Sequence, residues 1–358
     1  MKIAVDVSPI IYETGVSVYT YELVKNLLLY DRQNQYVLFG GSLRGLGELR
    51  AKASELKGNF DTRFVMFPPS VAQVVWNQLH ILPVESFIGK VDVFHASDWT
   101  QPPTRAFKVT TVHDLTPIKY PRLSHPSIVA AHSKRFMWIK KEVDAVIVPS
   151  MATKKDLLDL DFKEEKIYVI PEAPNPLVKL AKAEQVMELK KRYRISGKYL
   201  LAVGVTPRKN IDRVISAFEK IRAGEDLKLV VIGEAKMKIE QTRGVIFAGH
   251  VPFHDLSPFY TGAEALVYPS LYEGFGLPIL EAFACGTPVV TSNTSSMREI
   301  GQDAAVLVDP YKVESISEGI IKALLQKKDL SKKGMIHVKH FTWEKTARMT
   351  LEVYKKAV

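Results

Sequence analysis

The sequence predicts an α/β fold with two doubly wound parallel sheets that face each other across a cleft. The chain has 358 residues, which at roughly 150 residues per domain suggests two domains. Short runs rich in Val and Ile alternate with segments of helical period almost throughout, and such runs favour parallel strands covered on both faces. The alternation pauses at Pro171–Pro176, where three of six residues are proline. We therefore expect a hinge between the two domains at this segment.

The first half of the chain contains six predicted strands and three predicted helices. The strands are predicted at Ile3–Val7, Tyr36–Phe39, Val91–His95, Val109–Val112, Ala145–Val148 and Ile167–Ile170. The helices are predicted at Ser17–Tyr30, His125–Glu142 and Thr153–Leu160. Ser150 stands just before the last of these helices, where its side-chain oxygen would accept a hydrogen bond from a free backbone N–H group and cap the helix.

The second half repeats the alternation after a charged helix, which is predicted at Glu184–Tyr193. The strands are predicted at Tyr199–Val205, Lys228–Ile232, Val245–Phe247, Ala265–Tyr268, Val289–Thr291 and Ala305–Val308. Further helices are predicted at Ile211–Arg222, His254–Thr261, Pro278–Ala284 and Val313–Leu325. Two series of similar size imply two doubly wound sheets.

The composition is that of a basic globular protein. Lys and Arg number 49 against 39 Asp and Glu, so the net charge is +10 and the isoelectric point is near 9.3. Hydrophobic residues at 46% and charged residues at 25% exclude a disordered or collagen-like chain. The positive charge predicts attraction to a polyanion, which could be nucleic acid, acidic lipid or a phosphorylated small molecule.

Three features favour a reducing, cytoplasmic setting for a soluble chain. Cys285 is the only cysteine and is expected to be a buried packing residue, so an internal disulfide is excluded. Asp6 interrupts the first apolar run, so the core of a signal peptide cannot form there. The charge-free stretch Phe64–Val84 contains three prolines and several polar residues, which argues against a membrane span. Peripheral contact with the inner face of a membrane stays open.

The most informative segment is Tyr268–Ala282, which is typical of a strand, a glycine-containing turn and a helix. Gly274 and Gly276 allow backbone conformations closed to other residues and let a ligand approach the main chain. Unpaired amides at the start of the helix favour an anion. Glu273 precedes the turn and Glu281 lies about one turn into the helix, so one carboxylate can face a ligand while the other accepts hydroxyl hydrogen bonds. The alternative is a plain strand–helix turn with two solvated glutamates.

The Glu-x7-Glu spacing of Glu273 and Glu281 resembles the signature of the retaining, nucleotide-sugar-dependent glycosyltransferases of family 4, which have the GT-B architecture of two Rossmann-like domains. Leu201–Asn210 is similar to the family's Gly…Arg-Lys-Gly/Asn element, and Phe247–Val251 is similar to its base-facing loop. The resemblance runs from Ile3 to the final helix and is more specific in the C-terminal half.

The resemblance implies a donor site in the C-terminal half. Glu281 would bond the ribose hydroxyls, and Lys209 with Arg208 would neutralise the diphosphate as it leaves. The donor sugar and diphosphate would be held by Glu273 and by the backbone of Gly274, Phe275, Gly276 and Leu277, with Val251 in the base-facing loop. Many relatives carry an additional Arg where this chain has Val205, and Arg208 would substitute for it.

In the N-terminal half the signals are single residues. Gly15 resembles the glycine of the loop that covers the donor phosphates, although a simple turn explains it equally well. His113 ends a predicted central strand at the edge where ligands bind, and by resemblance it would contact the donor sugar near the reacting carbon; its alternative is a structural histidine. His95, Asp98 and Trp99 follow another strand and could touch the acceptor, although a packed Trp and a capping Asp explain them equally well.

The resemblance also implies domain roles and a mechanism. Residues 1–172 with 342–358 would form the acceptor-side domain, and residues 173–341 would form the donor-binding domain. The segment from Phe341 to Lys356 resembles the family's final helix, which returns to the first domain, and Thr342 would be its cap. No group of His and carboxylate residues has metal-ligand spacing, so we expect no metal and no cofactor. Retention without an enzymic nucleophile would imply front-face attack assisted by the leaving phosphate. The version of the phosphate element at Pro207–Asn210 is similar to that of mannosyl- and rhamnosyltransferases, which favours GDP-mannose over UDP-sugars.

Three other functions remain open at this point. An epimerase of sugar nucleotides with the same fold is disfavoured by the Glu-x7-Glu spacing. A nucleic-acid-binding protein is motivated by the basic charge, but no helix-turn-helix, RNP string, zinc finger or long basic tract is present. A non-catalytic protein that binds nucleotide sugars can be distinguished from a transferase only by an activity assay. The acceptor would be a glycan, a glycolipid or a small glycoside.

The positive charge is unevenly distributed between the two halves. Residues 1–172 carry 21 Lys and Arg against 19 Asp and Glu, whereas residues 173–358 carry 28 against 20. The excess therefore lies in the half expected to bind the donor. A nucleotide diphosphate is accordingly the expected polyanion, no nucleic-acid partner is expected, and membrane docking is a weaker alternative.

Overall fold

The computed structural model describes residues 1–222, 227–234 and 242–358. These residues divide into two compact units, which we call the first unit (Met1–Glu172 with Thr342–Val358) and the second unit (Ala173–Phe341). Each unit is built on one parallel sheet. The prediction of two parallel-sheet α/β domains is therefore confirmed.

The first unit contains a seven-stranded sheet in which all neighbouring strands are parallel. Its strands are β1 (Lys2–Asp6), β2 (Gln35–Gly41), β3 (Phe60–Val65), β4 (Val93–Ala96), β5 (Phe107–Thr111), β6 (Ala145–Val148) and β7 (Ile167–Val169). They lie in the order β3-β2-β1-β4-β5-β6-β7. The winding reverses between β1 and β4, and in such sheets the reversal leaves a crevice at the carboxyl ends of the strands.

Burial explains which strands the sequence predicts and which it does not. All four residues of β6 are at most 1% exposed, as expected for a Val/Ile run covered on both faces. The sequence analysis predicts six strands here and misses β3. This strand pairs only with β2 at the edge of the sheet and exposes Asp61 and Arg63. Because an edge strand tolerates charged side chains, its sequence lacks the apolar run that marks the others, and the number of strands is corrected to seven.

Seven helices of the first unit precede the connection to the second. They are α1 (Gly15–Tyr30), α2 (Leu46–Ser54), α3 (Pro69–Ala72), α4 (Glu85–Ile88), α5 (Thr116–Lys119), α6 (Pro126–Glu142) and α7 (Met151–Leu158). The cap predicted for Ser150 is confirmed, because its side chain accepts from the amide of Thr153 at the start of α7. Helix α1 begins with a reciprocal cap between Thr14 and Ser17.

The described residues of the second unit form a six-stranded parallel sheet. Its strands are β8 (Lys198–Val203), β9 (Leu227–Ile232), β10 (Val245–Gly249), β11 (Ala265–Tyr268), β12 (Val289–Ser292) and β13 (Val306–Val308), in the order β10-β9-β8-β11-β12-β13. Here the winding reverses between β8 and β11. Strand β8 ends at Val203 instead of the predicted Val205, because Gly204 turns the chain with φ +86°.

The helices around this sheet include two that the sequence analysis does not predict. They are α8 (Ala183–Arg192), α9 (Ile211–Ile221), α10 (Phe253–Thr261), α11 (Leu277–Ala284), α12 (Ser295–Gly301), α13 (Val313–Leu325) and α14 (Lys327–His337). The unpredicted ones are α12, which has seven residues, and α14, which buries only Leu330 and Gly334 and so shows little apolar periodicity. Cys285 is 2% exposed, as expected of a packing residue.

The last helix, α15 (Trp343–Tyr354), belongs to the first unit. Thr342 caps it by accepting from the amide of Lys345, which confirms that prediction. The helix packs against α1, where the rings of Trp343 and Tyr19 lie 5.9 Å apart and Arg348 lies over the ring of Tyr30. Within the described ranges, no helix is long and apolar enough to span a bilayer.

Candidate active site

The predicted donor residues of the second unit gather at the carboxyl ends of β8 and β11. These strands are neighbours at the point where the winding reverses, which is where ligands of doubly wound sheets bind. The loop after β8 carries Arg208 and Lys209 in a short 3-10 turn, and the loop after β11 carries Glu273. Sequence order separates these side chains by more than sixty residues, and the sheet brings them together.

Two residues give the loop after β8 its shape. Gly204 has φ +86°, and a Cβ atom there would lie 2.9 Å from Cγ of Lys209, so glycine leaves room for the lysine side chain to cross the end of the strand. Asn210 adopts the left-handed conformation with φ +62° just before α9. Its side-chain amide donates to the carbonyls of Pro269 and Pro310 at 3.0 and 2.7 Å, which ties this loop to the loop after β11.

Glu273 lies between the two cations in an arrangement that we call the cationic cluster (Arg208, Lys209, Tyr268 and Glu273). Nζ of Lys209 donates to Oε1 of Glu273 at 2.7 Å, and the guanidinium of Arg208 pairs with Oε2. The Tyr268 hydroxyl donates to Oε1 at 2.8 Å, while the Lys209 ammonium lies 4.6 Å from the centre of the Tyr268 ring. The cluster thus brings two cations onto one carboxylate.

The protonation state of Glu273 follows from these contacts. The side chain is buried, and burial alone would raise its pKa. The charges of Lys209 and Arg208 and the hydrogen bonds from Lys209 and Tyr268 outweigh burial and lower the pKa to about 2. Glu273 is therefore a carboxylate at neutral pH.

The backbone of Glu273 is fixed by a pair of serines that the sequence analysis does not identify. The hydroxyls of Ser295 and Ser296, at the start of α12, both donate to the carbonyl of Glu273 at 2.8 Å. Two adjacent serines at a helix start resemble an ordinary cap, so the sequence offers no signal that they position the turn. Their hydrogen bonds hold the chain where it enters the glycine turn.

The turn after Glu273 leads directly into α11. Gly276 precedes the helix with φ +117°, a conformation that glycine adopts without strain, and Leu277 is the first helical residue. The side chain of Phe275 is buried, with its ring edge towards Phe341 at a centroid distance of 6.0 Å. Gly274 is buried in the same turn. Phe275 therefore anchors the turn in the core of the second unit, so that only backbone groups of this turn are suited to bind a ligand.

Glu281 and Val251 are also buried in the second unit. Oε2 of Glu281 accepts from the hydroxyl of Tyr260 at 2.8 Å. Burial raises the pKa of Glu281, against the opposing effects of the Tyr260 hydrogen bond and the charge of Lys209. Val251 follows β10 and packs in the apolar core. Tyr260 lies near the end of α10, and no sequence motif marks it as part of a site.

The first unit has an apolar cavity at the carboxyl ends of β1 and β4, again where the winding reverses. Its volume is about 350 Å³. Aromatic side chains form much of its wall, including those of Tyr12, Phe39, Phe67, Trp76 and Trp99. Asp6 and Asp98 contribute carboxyl groups; burial, with a smaller contribution from Asp98, raises the pKa of Asp6 against hydrogen bonds from Ser8 and Ser97. Asp98 Oδ1 is buried without a hydrogen-bond partner among the described residues.

Of the three predicted acceptor residues, Asp98 and Trp99 line this cavity and His95 does not. His95 is 3% exposed, with Nδ1 hydrogen-bonded to the Tyr354 hydroxyl at 2.6 Å and Nε2 to Thr111 Oγ1 at 2.9 Å. Burial, His113 and Arg135 lower its pKa to about 3, so the ring is neutral. These contacts make His95 part of the packing between β4, β5 and α15.

His113 follows β5 and pairs with a residue that the sequence analysis does not assign. Its Nδ1 lies 2.7 Å from Oε1 of Glu172, which is the last residue of the first unit before the second begins. Burial would lower the pKa of His113, but the hydrogen bond and charge of Glu172 and the charge of Asp98 outweigh burial and raise it, against Arg135. The ring of Tyr19 meets that of His113 edge-on at 4.5 Å.

Gly15 is the first residue of α1 and directly follows Thr14, which lines the apolar cavity. Its amide is therefore one of the unpaired donors at the start of that helix. No group of three or more His, Cys, Asp or Glu side chains in the part of the chain that the structure describes could hold a metal ion.

Comparison with known proteins assigns both units. A family model described as Glycosyltransferase Family 4 matches residues 14–175, and one described as Glycosyl transferases group 1 matches residues 188–356. The chain belongs to the glycosyltransferases of family 4. The resemblance inferred from the Glu-x7-Glu spacing is thus confirmed, and the two matches cover almost the whole transferase.

The relatives include proteins named as mannosyltransferases. O-antigen chain mannosyltransferase B of Escherichia coli is 27% identical over 380 residues, which cover 99% of this transferase and 100% of that protein. The serotype-specific mannosyltransferase WbdA of Escherichia coli is 25% identical over 271 residues, 69% of this chain and 33% of that protein. The transferase therefore spans about a third of WbdA's length.

A solved structure agrees on the fold. Sucrose-phosphate synthase from Thermosynechococcus elongatus matches with a TM-score of 0.74 at 19% identity, covering 99% of this transferase and 98% of that chain. At this identity the likeness concerns the architecture alone. The predicted GT-B fold is confirmed.

Proposed function

We propose that this transferase moves a mannosyl group, with retention of configuration, from a nucleotide diphosphate sugar to a glycan, glycolipid or small-glycoside acceptor. GDP-mannose is favoured over UDP-sugars, because the Pro207–Asn210 element is of the mannosyltransferase type and the relatives compared above carry that name. The observation that carries the proposal is the cationic cluster, in which two cations and a helix start flank a single carboxylate.

The donor diphosphate would replace Glu273 as the partner of Lys209 and Arg208. The loop after β8 positions both cations at the strand end, where they would face the charge that develops on the leaving phosphate. The backbone amides at the start of α11 would share that charge. The Glu273 carboxylate, released from the cations, would accept hydroxyl hydrogen bonds from the donor sugar.

The nucleoside would bind deeper in the second unit. Glu281 is the proposed acceptor for the ribose hydroxyls, since one of its oxygens bonds Tyr260 and its position on α11 follows the phosphate-binding turn. Val251, in the segment after β10, would contribute backbone to the base pocket, and Gly15 would cover the phosphates. In this proposal Ala173–Phe341 is the donor-binding domain.

The first unit would bind the acceptor. Aromatic walls pack well against the apolar faces of sugar rings, and the Asp98 carboxylate offers a buried oxygen to a hydroxyl donor. Asp98 and Trp99 are therefore the proposed acceptor contacts, and His113 the proposed contact to the donor sugar. We assign His95 a packing role, because both of its nitrogens are bonded within the first unit.

The proposed reaction needs no metal and no enzymic nucleophile. The acceptor hydroxyl oxygen attacks the anomeric carbon from the face that the diphosphate leaves, the carbon–oxygen bond to phosphate breaks, and the acceptor proton passes to the released phosphate oxygen. Lys209 and Arg208 supply the positive charge that stabilises this leaving group. The bond that forms lies on the same face as the bond that breaks, so the configuration is retained.

A donor screen tests the proposal. The full chain is heated with GDP-, UDP-, dTDP- and ADP-sugars, and transfer from each to a panel of neutral glycosides is measured with and without EDTA. We expect GDP-mannose to raise the melting temperature most, transfer to persist in EDTA, and NMR of the product to show retained configuration. Glu264→Gln, which alters a carboxylate paired with Lys327 elsewhere in the second unit, is the control and should keep the shift. The proposal is wrong if no sugar nucleotide stabilises the chain or serves as donor.

A further inference from the structure

His113 is surrounded by a buried carboxylate and by several other titratable or charged groups. Glu172 is 4% exposed, yet it carries a carboxylate to within 2.7 Å of Nδ1 of His113. The other titratable or charged groups that face this histidine come from α1, β4, the segment after β4 and α6. They are Tyr19, His95, Asp98 and Arg135. Glu172, and not one of these four groups, is the residue that hydrogen-bonds to the His113 ring.

Hydrogen bonds from two different elements fix the backbone just before Glu172. The amide of Ile170 donates to the carbonyl of Val148 at 2.9 Å, which continues the register of β7 against β6. The hydroxyl of Thr346, on α15, donates to the carbonyl of Pro171 at 2.7 Å. The chain therefore reaches Glu172 in a defined position, and its carboxylate has a fixed origin from which to bond His113.

The same helix supports the ring of His113 from a second direction. Trp343 of α15 packs edge-on against Tyr19, and Tyr19 packs edge-on against His113, with interplanar angles of 64° and 82°. The Tyr19 hydroxyl is hydrogen-bonded to Thr111 at 3.1 Å, so this ring is itself held in place. The imidazole is thus fixed by a carboxylate at one nitrogen and by an aromatic edge.

We propose that Glu172 is a positioning residue for glycosyl transfer, which holds the Nδ1–H group of His113 and thereby presents Nε2–H of the imidazolium as a hydrogen-bond donor to the donor sugar. The inference rests on the proposed function, in which His113 contacts that sugar. It assigns a role to the connecting chain: the last residue of the first unit sets the orientation and charge of the histidine.

The charge argument agrees with this geometry. A carboxylate that accepts from Nδ1 excludes the tautomer in which Nδ1 is unprotonated, and it stabilises the doubly protonated ring. Burial opposes the charged form, but Glu172 and then Asp98 outweigh it and raise the pKa of His113, despite the repulsion of Arg135. The imidazolium therefore persists to higher pH than an ordinary histidine, and Nε2 remains a donor over that range.

A second His–Glu pair in the same unit shows what a packing role looks like. His80 lies 3.0 Å from Glu142, its Nδ1 is bonded to the carbonyl of Trp76, and its ring stacks on Trp138 at 3.6 Å. Nδ1 and one face of His80 are thus occupied, and its Nε2 is buried beside Glu142. The His113 side chain instead remains 17% exposed, and among the described residues no hydrogen-bond partner reaches its Nε2.

The test compares Glu172→Gln with the matched control Glu142→Gln in the full chain. Glutamine keeps an oxygen that accepts from Nδ1–H but removes the charge. We measure kcat and the donor KM for mannosyl transfer across pH, together with ¹⁵N–¹H NMR of the histidine rings, in which His113 is assigned through a His113→Gln variant. Glu172→Ala, which removes the acceptor as well, is measured in the same way.

We expect Glu172→Gln to lower kcat about 10- to 100-fold near neutral pH while the donor KM stays close to the wild-type value. The alkaline midpoint of kcat and the NMR titration of His113 should both move to lower pH by about one unit, because an opposite charge has been removed. Glu172→Ala should lower kcat further. Glu142→Gln should change neither kcat nor the His113 titration.

Three outcomes overturn the inference, and they are distinguishable. If the wild type transfers sugar and Glu172→Gln keeps the same rate, midpoint and His113 titration, Glu172 has no positioning role and the proposed function stands. If the wild type transfers from no nucleotide sugar, the proposed function fails and the inference fails with it. An equal loss of kcat in Glu172→Gln and Glu142→Gln, with no movement of the His113 titration, also contradicts the inference, because it indicates a general structural effect.

Discussion

The side chains at the carboxyl edge of the parallel sheet differ in charge between the two units. In the second unit, Arg208 and Lys209 converge on the carboxylate of Glu273. In the first unit, carboxyl groups of Asp6 and Asp98 line an apolar cavity, while the buried guanidinium of Arg135 is held by neutral oxygens of neighbouring residues. The first arrangement favours an anion and the second favours a neutral ligand with hydroxyl groups.

This difference explains how one fold can serve two ligands. Both sites lie where a parallel sheet reverses its winding, so the backbone supplies the same crevice in each unit. The side chains at the strand ends then decide the chemistry. Substitutions that alter one site at a time test whether the effect is confined to the ligand assigned to that unit.

The largest effect is expected for Lys209→Ala. The ammonium contacts both Glu273 and Tyr268, and as a cation preorganised for the leaving diphosphate it should contribute roughly 3–4 kcal/mol to transition-state stabilisation. We expect kcat for mannosyl transfer to fall by about 100- to 1000-fold. Lys327→Ala, which breaks the part-buried pair with Glu264 in the same unit, is the control and should retain full activity. Equal activity of Lys209→Ala and wild type would contradict the assignment of the second unit as the anion site.

Glu281→Gln should affect binding more than chemistry. The substitution keeps the shape of the side chain and an oxygen for Tyr260, but it removes the charge that strengthens hydrogen bonds from the ribose. We expect the donor dissociation constant, measured by calorimetry, to rise about tenfold, while kcat at saturating donor changes little. The affinity for acceptor should not change. A purely acceptor-side defect would show that the donor and acceptor assignments of the two units are interchanged.

The pH dependence of the unfolding free energy tests whether Glu273 is held between the two cations of the cationic cluster. The pKa of Glu273 is lowered to about 2 from an ordinary 4.5, so its stabilising effect is fully present above the unfolded-state value and is lost as pH falls from about 4.5 to about 2. Glu273→Gln removes this dependence and should reduce the fall in unfolding free energy between pH 6 and pH 3 by about 2 kcal/mol. Urea denaturation at pH 6 and at pH 3 measures the change. A variant with the same slope as wild type would show that Glu273 is not held between cations in solution.

How much of this could be read from the sequence depends on whether a site is contiguous in the chain. Glu273, Gly276 and Glu281 lie on one strand–turn–helix segment, so their spacing predicts both the turn and the helix that the structure contains. Glu172 lies 59 residues from His113, and no local pattern links them. The apolar cavity likewise draws on the ends of two strands and on a segment that the sequence analysis considered only as a rejected membrane span.

The smallest effect is expected at the acceptor cavity, where it is also the most specific. Asp98→Asn keeps the side-chain volume and replaces the buried, unpartnered Oδ1 with a weaker acceptor or a donor. We expect the KM for a neutral glycoside acceptor to rise about 3- to 10-fold, the net value of one hydrogen bond, with no change in donor binding. Asp61→Asn, on the exposed edge strand β3 of the same unit, is the matched control.

Because the cavity wall carries acidic groups, an acceptor with a terminal phosphate should be a poor substrate for the wild type and a better one for Asp98→Asn. An anionic acceptor preferred by the wild type would reverse the comparison between the units, since both sites would then select for negative charge.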